Sequence, residues 1–196
     1  MNPYSRHGKH GKGSKREYCV MSSYKSERLG SKPDDEAALR KLYQQMIDGS
    51  NASSSDAFAA PYPYTDDSDF IGFDGTYMKG RQEIASFHQM LLTNFLDAVV
   101  LLEKSEVIRF VAIDIAIMIA VGGTIIARKS DIEPERNSIH TIVAVKRNVR
   151  WYFTAFQDSR ARYSGRPEES QALTEELRQE LLRHLRERQI KSRNTD

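Results

Sequence analysis

Between positions 99 and 157 the chain reads as one strand after another, and this run constrains the fold more than any other feature. β-Branched and aromatic residues recur there, and the patterning predicts strands over about 99–110, 112–121, 124–128, 139–147 and 150–157. Lys146-Arg147-Asn148-Val149-Arg150 supplies a hairpin turn between the last two. Strands joined by short turns pair antiparallel. Such a sheet must bury one face, and helices elsewhere in the chain are available to cover it.

Those helices come mostly first. Pro33-Asp34-Asp35-Glu36 places carboxylates in a first turn, where they complement the helix dipole. Ala38, Leu39, Leu42, Tyr43, Met46 and Ile47 then follow helical spacing up to Gly49. Serines within 50–55 can cap a short helix over 56–60, which Pro61 and Pro63 stop. An alternating strand over 69–75 follows, and Gly80-Arg81 opens an amphipathic helix reaching about Asn94. That helix gathers Ile84, Phe87, His88, Leu91 and Leu92 on one side. A last charged helix starts at Pro167-Glu168-Glu169 and runs to about Ile190, with Leu173, Leu177, Leu181 and Leu185 in a stripe and Leu182 beside it. The stripe suits packing on its own domain or on a second subunit.

Composition excludes several classes. The longest apolar stretch, 111–121, contains Asp114 and falls short of the roughly 18 residues of a membrane span. One cysteine, Cys19, excludes an intrachain disulfide framework and a multi-cysteine zinc site. Of the 29 Lys or Arg and 27 Asp or Glu, residues 1–33 hold eight basic and two acidic, whereas 34–165 hold 14 and 18. The basic character therefore belongs to a Gly-, Lys- and Ser-rich segment expected to be disordered, and nucleic acid is not expected as a partner. Met21 is an alternative start to Met1. The expected organisation is a basic tail over 1–33, a domain over 34–163 and a leucine-striped helix with its tail over 164–196. No secretory signal precedes the domain, so a soluble cytoplasmic protein is expected.

Two segments carry a family resemblance. Asp67-Ser-Asp-Phe-Ile-Gly-Phe-Asp-Gly-Thr-Tyr-Met-Lys-Gly-Arg-Gln-Glu-Ile resembles the strand–turn–helix of SnoaL-like proteins in the nuclear transport factor 2-like superfamily. Val143-Ala-Val-Lys-Arg-Asn-Val-Arg-Trp151-Tyr-Phe-Thr-Ala-Phe-Gln157-Asp is similar to that superfamily's final hairpin. Within it the chain is most similar to the SgcJ/EcaC type group. The resemblance covers residues 34–163. It implies an α+β fold in which a cone-shaped, curved antiparallel sheet wraps around helices and encloses a pocket, usually in a homodimer formed through the sheets. It also implies either of two functions. One is a pocket for a small hydrophobic, polyketide-type molecule, as an enzyme or accessory binder in secondary metabolism. The other is a non-catalytic homodimeric association module.

The candidate catalytic residues are Tyr43, Asp74 and His88. A pocket enzyme of this kind needs a general base, a donor to an enolate oxygen and apolar walls. Asp74 ends a strand at the expected mouth of the cone, or is simply a turn aspartate before Gly75. Tyr43 matches the position from which an isomerase-like relative donates a phenol, or is packing. The isomerase-type aspartate itself would fall at Gly72, which has no side chain. His88 is a base or a satisfied core histidine. Candidate ligand contacts are Phe58, Phe87, Met118, His140, Trp151, Phe153 and Gln157. Alternation groups Trp151, Phe153, Ala155 and Gln157 on one face, and Asp114 reads as a turn residue at a strand entry. No metal site is expected from the scattered histidines. No cofactor is expected either, since Gly122-Gly123 lacks the context of a dinucleotide site. An open pocket on which the polar candidates converge supports the first function, and one filled by Phe and Met the second.

Overall fold

The computed structural model describes residues 33–94, 100–126 and 131–193. The basic tail with Cys19, and the end of the strand expected over 124–128, lie outside the described residues. In chain order the elements are α1 (Pro33–Asn51), α2 (Ser55–Ala59), β1 (Asp69–Ile71), β2 (Tyr77–Lys79), α3 (Gly80–Asn94), β3 (Val100–Ala112), β4 (Ile115–Ile125), a 3₁₀ turn (Pro134–Arg136), β5 (Ser138–Arg147), β6 (Arg150–Arg160) and α4 (Pro167–Arg193).

Local chemistry sets the helix ends. The Ala57 N–H donates to the Ser54 hydroxyl at 3.3 Å, which caps α2. At the start of α3 the chain turns with Gly80 at φ +73°, where a Cβ would sit 2.9 Å from Asp66 Oδ1. The Gly80 N–H donates to Ser68 O, and Glu83 reaches back to accept the Lys79 N–H at 2.8 Å. The Asn51 side chain at the end of α1 bonds both the N–H and the C=O of Leu101, which fixes α1 to an edge strand.

The strands form one six-stranded sheet in the order β2-β1-β6-β5-β4-β3. Two features differ from the expectation. First, the sheet is not wholly antiparallel, because β1 runs parallel to β6, with Phe70 opposite Phe156. The strand expected over 69–75 ends at Ile71, and a short β1–β2 hairpin turning at Gly75 carries the chain on to Lys79. Second, β4 continues through Gly122-Gly123 to Ile125, so no separate strand begins at Thr124. Asp114 lies in the β3–β4 turn, where its carbonyl accepts the Lys146 N–H.

Two cores result. The larger lies between one face of the sheet and α1, α2 and α3, and buries Leu39, Tyr62, Ile84, Met118, Ile142 and Phe153 completely or nearly so. Each such side chain contributes on the order of 1.5–3 kcal/mol. The smaller lies on the opposite face, where Val121 and Ile132 meet Leu173 and Leu177 of α4. Leu173 and Leu177, with Leu181 beside them, therefore pack on the sheet, aided by a forked Arg178–Asp131 ion pair with bonds of 3.0 and 2.9 Å. Among the described residues no helix is long and apolar enough to cross a membrane.

Candidate functional site

The helices do not fill the cone. A cavity of about 540 Å³ remains between the sheet and the helical layer, and nearly every element contributes to its wall. Met46 and Ile47 come from α1, Phe58 from α2, Phe70 from β1, and Phe87, His88 and Leu91 from α3. Thr124 comes from β4, Ser138 and His140 from β5, and Phe156, Asp158 and Arg160 from β6. Gly72, Phe73 and Asp74 from the β1–β2 turn, and Arg136 from the 3₁₀ turn, complete it. Phe70 and Phe156 stack with ring centroids 4.7 Å apart, so much of the wall is flat and aromatic.

One polar end is built on His140, which is 3% exposed. Its Nδ1 lies 2.8 Å from the Tyr43 hydroxyl, and its Nε2 lies 2.9 Å from Ser138 Oγ and 3.5 Å from Asp158 Oδ1. If the Tyr43 O–H donates to Nδ1, Nε2 carries the imidazole proton and faces the serine and the carboxylate. Asp158 Oδ1 is buried and accepts no hydrogen bond among the described residues.

His88 forms a second polar point. Its ring stacks on Phe58, with centroids 3.7 Å apart and planes 5° from parallel. It is 4% exposed, and its Nε2 has no hydrogen-bond partner among the described residues. Burial lowers its pKa from 6.5 to about 4, so the ring is neutral at physiological pH. The third polar region is cationic. Arg160 donates from Nη1 to Arg136 O at 2.7 Å, and its guanidinium lies 3.8 Å over the Phe73 ring. Burial, reinforced by repulsion from Arg136 and Arg162, lowers the Arg160 pKa against the attraction of Asp158.

The structure brings Phe58, Phe87, His88, Asp74 and His140 together on the cavity wall, with Tyr43 bonded behind His140. Asp74 Oδ1 accepts the Thr76 N–H at 3.0 Å, and the bonds from Thr76 hold its carboxyl below the usual range. It is thus a turn aspartate at the rim, with an acidity opposite to that of a tuned base. Met118 and Phe153 are fully buried in the core away from the cavity. Trp151 is buried too, but its Nε1 donates to Asp35 Oδ1 at 3.0 Å, and Lys146 meets the same oxygen at 2.6 Å. Gln157 is exposed and does not reach the cavity. Its placement by alternation fails because the β5–β6 register slips between Val143 and Ala144, leaving Thr154 as an extra residue. Beyond that bulge Phe156, Asp158 and Arg160 turn inward instead. Ser138, Asp158, Arg136 and Arg160 were not foreseen. Ser138 shares parity with His140 and could have been found from it. Among the described residues no group of three or more His, Cys, Asp or Glu could hold a metal ion.

No family model matches the chain, and no curated protein does. Solved structures do match. The chain is similar to a domain of unknown function with a cystatin-like fold from Nostoc punctiforme PCC 73102, at 28% identity over 81% of this chain and 99% of that one, with a TM-score of 0.65. It is similar to an NTF2-like protein of unknown function from Shewanella oneidensis MR-1, at 15% identity over 64% and 98% of the two chains, TM-score 0.55. It also resembles a protein from Novosphingobium aromaticivorans DSM 12444 provisionally assigned as a scytalone dehydratase, at 15% identity over 64% and 83%, TM-score 0.54. The chain therefore has the NTF2-like, cystatin-like fold, an α+β architecture with a curved six-stranded sheet. That fold hosts many functions, so the site must supply the rest.

Proposed function

We propose that this chain is a SnoaL-like pocket protein that takes a small, largely apolar molecule of polyketide type into its cone, as an enzyme or accessory binder of secondary metabolism. The observation that carries this is a pair of buried polar atoms, His88 Nε2 and Asp158 Oδ1, that have no hydrogen-bond partner among the described residues and belong to residues on the wall of a 540 Å³ cavity. Buried polar atoms without partners cost about 1–3 kcal/mol each, and a bound molecule with matching donors and acceptors recovers that cost.

The reaction class this polar end supports is proton transfer. A ligand hydroxyl or acidic C–H placed against Asp158 gives its proton to the carboxylate. The His140 Nε2–H stabilises the charge that develops, and Tyr43 fixes the imidazole tautomer through Nδ1. Neutral His88 offers a hydrogen bond from the opposite, aromatic side. A homodimer through the outer sheet face accompanies this reading. Ile117, Ile119, Val143, Val145 and Tyr152 are half-buried there, an apolar surface suited to a second copy.

Native mass spectrometry of the protein as purified, followed by a thermal-shift screen of small aromatic compounds, tests the reading. Co-purified small-molecule mass or saturable stabilisation is expected, and Tyr43→Phe combined with His88→Ala weakens it. If nothing binds and the double variant leaves the cellular phenotype unchanged, the non-catalytic association module replaces it.

A further inference from the structure

The cavity wall contains two guanidiniums that no described carboxylate pairs with. Arg136 and Arg160 both line it, both are half-buried, and the Arg160 guanidinium donates to the backbone carbonyl of Arg136, whose own charge acts on it. Asp158 attracts Arg160 but makes no ion pair with it, and Arg136 has no side-chain partner among the described residues. Several half-exposed cations elsewhere are matched, as with Arg178 on Asp131 and Arg147 on Asp67, whereas Arg81 lies over the Tyr64 ring in the α2–α3 groove. Two adjacent, partly desolvated like charges repel each other, and this arrangement is stabilised when an anion joins them.

Resting on the pocket reading above, we propose that the occupant of the cone is an aromatic or apolar molecule bearing one carboxylate, and that Arg136 and Arg160 hold that carboxylate at the cavity mouth. The guanidinium fork matches a carboxylate in shape and in number of acceptors. Arg160 spends one N–H on Arg136 O, and its remaining donors are free for a ligand. Phe73, half exposed, covers one face of that guanidinium and keeps it directed across the mouth. Behind it, Phe58, Phe70, Phe87 and Phe156 offer flat surfaces for an aromatic body, and His88 offers one polar contact. A dianionic phosphate fits less well, because Asp74 and Asp158 on the same wall repel a second negative charge.

The test compares 2-naphthoate with its neutral counterpart 2-naphthamide by isothermal titration calorimetry on the full chain at low salt. The acid is expected to bind about tenfold more tightly than the amide, the effect of one charge-assisted contact. Arg136→Gln and Arg160→Gln bring the ratio close to one while affinity for the amide is kept. Arg162→Gln, an exposed change that removes the same charge nearby, leaves the ratio intact. Arg136→Gln breaks no side-chain bond among the described residues, so it carries the test even if Arg160→Gln fails to fold. Equal affinities for acid and amide in the wild type, or a ratio that survives Arg136→Gln, overturn the carboxylate assignment and leave the pocket standing. Failure of both compounds to bind overturns the assignment together with the pocket reading.

Discussion

Replacing His88 by leucine should flatten the acid side of the stability profile, and the size of the effect follows from where the ring sits. His88 is 4% exposed, stacked on Phe58, and without a hydrogen-bond partner at Nε2 among the described residues, so burial disfavours its charged form. Its pKa in the folded protein is about 4 against 6.5 when exposed. The folded value is the lower one, so the unfolded chain takes up the proton first. Stability is unaffected above pH 6.5, falls as the pH drops from 6.5 to 4, and levels off below. The full loss is about 3 kcal/mol, and about 2 kcal/mol of it has occurred by pH 5. Leucine removes this titration, and at neutral pH the lost aromatic stack, on the order of 1 kcal/mol, is offset by removal of the unpartnered Nε2. Urea unfolding of both proteins should therefore show the variant gaining about 2–3 kcal/mol on the wild type between pH 7.5 and pH 4.5. Other titrating groups are shared by both proteins and cancel in the difference. Parallel pH profiles, or an NMR titration of the His88 ring near 6.5, would refute the reasoning.

Tyr43→Phe removes the hydroxyl bonded to His140 Nδ1, and chemical denaturation should report a loss of about 1 kcal/mol, with a shift in the His140 imidazole signals. Gly49→Ala should cost about 1–3 kcal/mol, since a Cβ there would lie 2.5 Å from the Phe58 backbone nitrogen where α1 crosses α2, and circular dichroism melting will show it. Leu177→Ala empties the centre of the smaller core and should cost about 2–5 kcal/mol, whereas Leu182→Ala on the exposed side of α4 should stay within about 0.5 kcal/mol. If the outer sheet face pairs two copies as proposed, the wild type sediments as a dimer and Val143→Glu, a change on that face, sediments as a monomer; a monomeric wild type would refute the pairing.

The sequence was most legible where periodicity is long. Leu39, Tyr43 and Met46 recur along α1, and alternation through β4 and β5 separates Met118, His140 and Ile142 from Ile117, Thr141 and Val143 as the structure does. It was least legible where pairing, not pattern, decides. Nothing in Asp69-Phe70-Ile71 states that its partner is β6 in parallel. One extra residue at Thr154 reversed every assignment after it, moving Gln157 outward and Asp158 inward. Trp151, Phe153 and Met118 are as apolar as the residues on the cavity wall. Position along each strand separates core from cavity, and position depends on how far the helices reach into the cone. Arg136 and Arg160 look like surface charges in the sequence, and only the 3₁₀ turn brings them to one rim.

The central claim is that the cone interior is a small-molecule pocket whose polar groups are His140 and His88. The most direct measurement follows the imidazole resonances of both histidines while a small aromatic compound is titrated into the protein. The two sets are expected to move together along one saturating curve, because both rings line the same cavity from opposite elements. Unmoved histidines, with changes confined to Tyr64 and Arg81 in the shallow groove between α2 and α3, would contradict it.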